Sequence, residues 1–200
     1  MDGKSAKLIL CFLLLSVAPR AAHAAVIELS GTGSYSKSTF ADGFSGYSSK
    51  ERRYSASVEF KFSAVSGIEF QYMNSTSEVS YQTNVGTIIN YYTPINIGYK
   101  DEVYSVNWVQ NLVPSKWMIQ PYVKFGGGRL VRKYSELYPE FGTGQVIQQN
   151  SVTGVGAVGI RIFLTRAFAL KGEFETYVPN FHYSQWQTNE TFSAGLSWLF

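Results

Sequence analysis

Apolar and polar side chains alternate with a period of two in eight successive segments of this chain, and stretches with the helical period are hard to find. Successive strand residues point to opposite faces, so such segments read as strands with one apolar and one polar side. The first sets Ile27, Leu29, Gly31, Gly33 and Tyr35 against Glu28, Ser30, Thr32, Ser34 and Ser36. The second sets Tyr54, Ala56, Val58, Phe60 and Phe62 against Arg53, Ser55, Ser57, Glu59 and Lys61. Ile68, Phe70 and Tyr72 mark the third, Tyr104, Val106, Trp108 and Leu112 the fourth, and Ile119, Pro121, Val123 and Phe125 the fifth. The sixth and seventh run from Val152 to Ile162 and from Phe168 to Phe174, and the eighth ends on Phe200.

The connections alternate as well. Short ones fall near Ser63 to Ser66, Val113 to Lys116 and Phe163 to Arg166, while long ones cover Ser38 to Ser49, Tyr81 to Tyr99, Ser135 to Gly144 and Val178 to Thr188. An even number of strands with short turns at one end and long loops at the other is the pattern of a transmembrane barrel. No segment has the roughly 20 apolar residues that a spanning helix needs. The first residues read differently: Lys4 and Lys7 precede the apolar run Leu8 to Ala18, and Ala22-His23-Ala24 offers small residues for cleavage. Residues 1–24 are therefore expected to be a signal peptide and 25–200 the barrel domain. Bulky Leu10 before Cys11 speaks against lipid attachment there.

Beyond residue 24 the chain keeps 14 basic and 13 acidic residues, a net of +1, which gives a nucleic-acid partner no footing. The single cysteine, Cys11, leaves with the leader, so neither a disulfide nor a thiolate metal site is expected. His23 leaves with it, His182 stands alone, and no metal or other cofactor is implied.

Alternation alone does not say whether the apolar face meets lipid or a core, so a soluble lipocalin-like barrel is the alternative. Two features favour lipid. The polar parity is mostly Ser, Thr, Asn, Gln and Gly, whereas a surface in water carries more Lys and Glu. Aromatics on the apolar parity also sort by strand end: Tyr35, Tyr54, Tyr72 and Tyr104 towards the long loops, Trp117, Phe168, Trp198 and Phe200 towards the short turns. Two interfacial belts would sort them so.

The final decapeptide, Thr191 to Phe200, resembles the C-terminal strand of bacterial outer-membrane proteins, and with the eight segments the chain resembles the small barrels of the OmpA transmembrane and OmpX type. The resemblance implies a bacterial outer-membrane location, lipid and lipopolysaccharide as surroundings, and Leu196, Trp198 and Phe200 as a signal to the barrel-assembly machinery. The fold expected is all-β: an eight-stranded antiparallel up-and-down transmembrane barrel with short periplasmic turns and long outer loops.

An eight-stranded barrel is just filled by its side chains. Its lumen is expected to receive Glu59, Lys61, Glu69, Lys124, Arg161, Lys171, Glu173 and Glu175, four of each sign, forming an ion-pair network that plugs it. A narrow solute pore gated by partner exchange is the alternative. Arg129, Arg132 and Lys133 are placed just beyond the fifth strand, as a solvated rim or a patch for lipopolysaccharide phosphates. Phe181-His182-Tyr183-Ser184 is similar to the His and Ser of outer-membrane lipid A deacylases, which would imply a hydrolase with Ser184 activated by His182; Glu190, the carboxylate offered as an orienting acid, is only six residues past the Ser. That family's acid position, about twelve residues past the Ser, holds Leu196 here, so a non-enzymatic barrel leads. Structural support, or recognition of an extracellular ligand or host surface, is its expected role, and the Tyr81 to Tyr99 loop, with Tyr91 and Tyr92, is the foremost candidate surface.

Overall fold

The computed structural model describes residues 26–41, 45–84, 92–114, 116–137, 146–181 and 190–200. Its strands are β1 (Val26–Ala41), β2 (Ser45–Lys61), β3 (Ser66–Asn84), β4 (Tyr92–Asn111), β5 (Ile119–Leu137), β6 (Val146–Phe163), β7 (Phe168–Pro179) and β8 (Thr191–Leu199). Each pairs antiparallel with the next, and β8 returns to β1 to close the barrel. Closure leaves no unpaired edge, so the ladder satisfies the backbone in a medium that offers no water. The Phe200 amide extends the seam by donating to the Ile27 carbonyl at 2.9 Å.

Side-chain direction follows the alternation in all eight strands. Phe60, Phe70, Val106, Phe125, Val158, Leu170 and Leu196 point outward and are exposed, whereas Glu59, Glu69, Lys124 and Arg161 point into the lumen and are buried. Exposing so many large apolar groups would be untenable in water but is what a lipid-facing wall requires. The outward apolar rows run from Ile27 to Tyr35 on β1 and from Val152 to Ile162 on β6, matching the about 9–11 residues with which a tilted strand crosses the hydrocarbon.

The short turns close on their own hydroxyls. Ser63 Oγ accepts from the Val65 and Ser66 amides, and Thr165 Oγ1 accepts from those of Ala167 and Phe168. These bonds satisfy amides that a tight reversal would otherwise leave bare.

The opposite end differs from the sequence expectation. Ladders continue past the apolar rows of β1 to β6, leaving 42–44, 85–91 and 138–145 between strands where longer loops are expected, while the fourth connection, 180–190, keeps the expected length. Tyr81, Tyr92 and Tyr99 thus stand on paired strands, while Tyr91 lies outside the described residues. Once the barrel has fixed the register, each further pair adds hydrogen bonds to an ordered ladder, so Ser-, Thr- and Tyr-rich sequence extends it without an apolar face. The expected leader, residues 1–24, lies outside the described residues.

Candidate functional site: the lumen and its outer mouth

Three carboxylates form a row on neighbouring strands, because the register sets Glu28 opposite Glu59 and Glu59 opposite Glu69. Like charges directly opposite repel. They are bridged by cations from the far wall. Arg161 on β6 reaches Glu28 at 2.8 Å and Glu59 at 2.5 Å, and Lys61 meets Glu28 at 2.5 Å. Lys124 on β5 contacts Glu69, Glu173 and Glu175 at 3.2, 2.7 and 2.7 Å. Lys171 on β7 contacts Glu69 and Glu173 at 3.3 and 3.2 Å. All eight residues expected in the lumen are therefore neighbours in one cluster.

Neutral groups complete it. The Tyr122 hydroxyl donates to Glu173 at 2.5 Å, and its ring lies 4.3 Å from the Arg161 guanidinium carbon. Arg161 Nη1 also donates to Asn111 Oδ1 at 2.7 Å, and Gln71 accepts from Lys124 while donating to Glu175. A buried charge is tolerable only when it is paired and hydrogen-bonded in this way. Sequence reasoning left out Glu28, although it sits on the polar parity of the first segment, and Tyr122, whose ring masks a polar role.

Above this tier Met73, Val103, Leu130, Val155 and Tyr177 form a buried apolar cluster inside the barrel. It was not foreseen, because the inward parity was read as polar throughout. A third tier lies at the long-loop mouth. Arg132 grips Asp101 through two bonds of 2.8 and 2.6 Å, and the Tyr177 hydroxyl donates to Asp101 at 2.6 Å. Arg53 lies over the Tyr177 ring and pairs with Glu51 at 2.9 Å. A cavity of about 270 Å³ opens there beside Ser75, Ser77 and Tyr99.

The basic trio needs correction. Arg129, Arg132 and Lys133 lie within β5, not beyond it. Parity splits them: Arg129 and Lys133 point outward, and Arg132 is turned inward onto Asp101. The sequence expectation ended the fifth strand before Arg129, yet the strand runs on through Gly126, Gly127 and Gly128 to Leu137. A side chain on Gly126 or Gly128 would collide with the Val106 or Tyr104 carbonyl of β4, so glycine is what permits the close approach.

His182 and Ser184 lie outside the described residues, and Glu190 is exposed just before β8. β7 stops at Pro179, and Asn180 and Phe181 turn the chain with positive φ. Among the described residues no group of His, Cys, Asp and Glu is arranged to hold a metal. Leu196, Trp198 and Phe200 face outward, with the Trp198 and Phe200 rings stacked at 5.9 Å.

A closed barrel with an apolar exterior and a charged interior defines a membrane protein that crosses with strands. The chain belongs to the outer membrane protein beta-barrel domain family, whose model matches residues 8–200. It is accordingly a small β-barrel of the bacterial outer membrane. No curated protein matches the sequence. Among solved structures it is similar to the N-terminal β-barrel domain of Pseudomonas aeruginosa OprF, at 13% identity and TM-score 0.49, over 88% of this chain and 98% of that one. It is also similar to Ail, the attachment invasion locus protein of Yersinia pestis, at 13% identity and TM-score 0.45 over 88% and 99%. Neisserial surface protein A matches at 11% identity and TM-score 0.40, over 87% and 93%.

Proposed function

We propose that this protein is a non-enzymatic outer-membrane barrel with a plugged lumen, serving as a rigid stem that carries an extracellular surface for structure or recognition. The observation that carries the reading is the stack of three tiers along the axis: the ion-pair cluster around Arg161 and Lys124, the apolar cluster around Met73 and Leu130, and the Asp101–Arg132 pair at the mouth. Moving a solute through would mean breaking buried charge pairs and crossing a dry apolar layer, both costly. The long paired extensions of β2 to β6 support display of a surface beyond the membrane, where a ligand or host surface would be met.

The same reading takes residues 1–24 as a signal peptide, Leu196, Trp198 and Phe200 as the signal to the assembly machinery, and Arg129 and Lys133 as contacts for lipopolysaccharide. Planar-bilayer recording of the refolded barrel tests the plug. Background current is expected across ±100 mV, and a steady open-channel current would overturn it.

A further inference from the structure

The outward wall of β1 to β5 carries a recess of about 670 Å³. Its outer lining comes from successive cross-strand partners: Leu29 opposite Val58, Val58 opposite Phe70, Phe70 opposite Val106, and Val106 opposite Gly127. The depression arises where Ala56 and Gly127 leave the wall low beside the rings of Phe70, Tyr72 and Tyr104. Because the strands tilt, this row climbs around the barrel. Leu29 lies near the periplasmic end of β1, whereas Gly127 lies well along β5.

At the upper end of the recess stand outward cations. Arg129 is the next outward residue after Gly127 on β5 and sits opposite Tyr104; Lys133 lies further out, directly opposite Lys100. Two cations in register repel unless an anion lies between them. Lys100 has Glu102 at 3.2 Å, but among the described residues no carboxylate forms an ion pair with Arg129 or Lys133. Above the outward apolar rows of β6 and β8 the described outward groups include Asn150, Gln148 and Glu190, with no cation. Outward cations also stand on β1 and β2, where Arg52 faces Tyr35 and Lys37 faces Lys50, but Arg129 is the one that borders the recess, next outward after Gly127 and opposite Tyr104.

We propose that this wall is a discrete binding site for one phosphorylated lipid of the outer leaflet, with a phosphate on Arg129 and Lys133 and an acyl chain descending the recess towards Leu29. The proposal deepens the lipopolysaccharide contact proposed above and rests on it. An aliphatic chain fits an apolar trough in the hydrocarbon layer, and a phosphate fits exposed guanidinium and ammonium groups at the interface above it.

The test uses the full barrel refolded in neutral detergent, with heat-modifiable gel migration reporting the fold separately. Native mass spectrometry then follows adducts with bis-phosphorylated lipid A, dephosphorylated lipid A and inorganic phosphate. A single lipid A adduct is expected, weakened about tenfold or more in Arg129→Ala/Lys133→Ala, and reduced also in Ala56→Phe, which fills the recess with another apolar group. Lys37→Ala/Lys50→Ala, which removes outward cations away from the recess, should leave it unchanged. Equal loss in both double variants, undiminished binding in Ala56→Phe, equal binding of dephosphorylated lipid A, or displacement by inorganic phosphate would overturn the site. Loss of heat-modifiable migration in the parent barrel would instead count against the barrel itself.

Discussion

Arg161 is the residue on which the lower lumen turns. It is fully buried, and it spans the barrel from β6 to two carboxylates on β1 and β2 that face each other in register. Replacing it with Met keeps the bulk but leaves Glu28 and Glu59 opposed, with Lys61 paired to Glu28 and Lys171 nearby. The expected loss is about 3–5 kcal/mol, the range for stranding one partner of a buried pair. Urea titration in lipid vesicles measures it, and adding Glu59→Gln to Arg161→Met should recover part of the loss. No loss in the single variant would show that the cluster contributes little to stability. Parity in the sequence was enough to assign these charges to one interior. The partner of Arg132 was hidden, since pairing it with Asp101 requires both residues on the β4–β5 ladder, and Arg132 was placed beyond the end of its strand.

Strands were legible where lipid lies on one side, because only there does burial force strict alternation. That is why Ile27 to Tyr35 and Tyr54 to Phe62 were placed correctly, while the same ladders beyond Tyr35 and before Tyr54 read as loop. In water both faces tolerate Ser, Thr and Lys, so no period marks the extension. The apolar tier escaped for the converse reason: Met73, Val103, Leu130 and Val155 fall on the inward parity, at positions where the polar pattern had been assumed to continue. The last element carries a prediction of its own. β8 closes on β1 through the backbone ladder from Glu28–Leu199 to Gly33–Ala194, to which Phe200 adds one terminal amide bond, to Ile27. Deleting Phe200 should therefore lower insertion in cells while the barrel still refolds in detergent. Normal cellular insertion would remove the residue from the assembly signal, and failure to refold would show that it acts in closure.

At the scale of the whole molecule, two environments divide eight strands: lipid outside, and an interior that holds ion pairs and, above them, an apolar cluster. The chain offers a clean way to examine both, since its one cysteine, Cys11, precedes the barrel. Spin labels at single cysteines can be placed along β2 at successive positions from Tyr54 to Phe60 and read by their collisions with oxygen, which concentrates in lipid, and with a water-soluble nickel chelate. Labels at Tyr54, Ala56, Val58 and Phe60 should collide with oxygen, and those at Ser55, Ser57 and Glu59 with neither agent, giving a period of two along the strand. Nickel collisions at Ser57 and Glu59 would mean a water-filled lumen, and oxygen access without alternation would contradict the barrel wall itself.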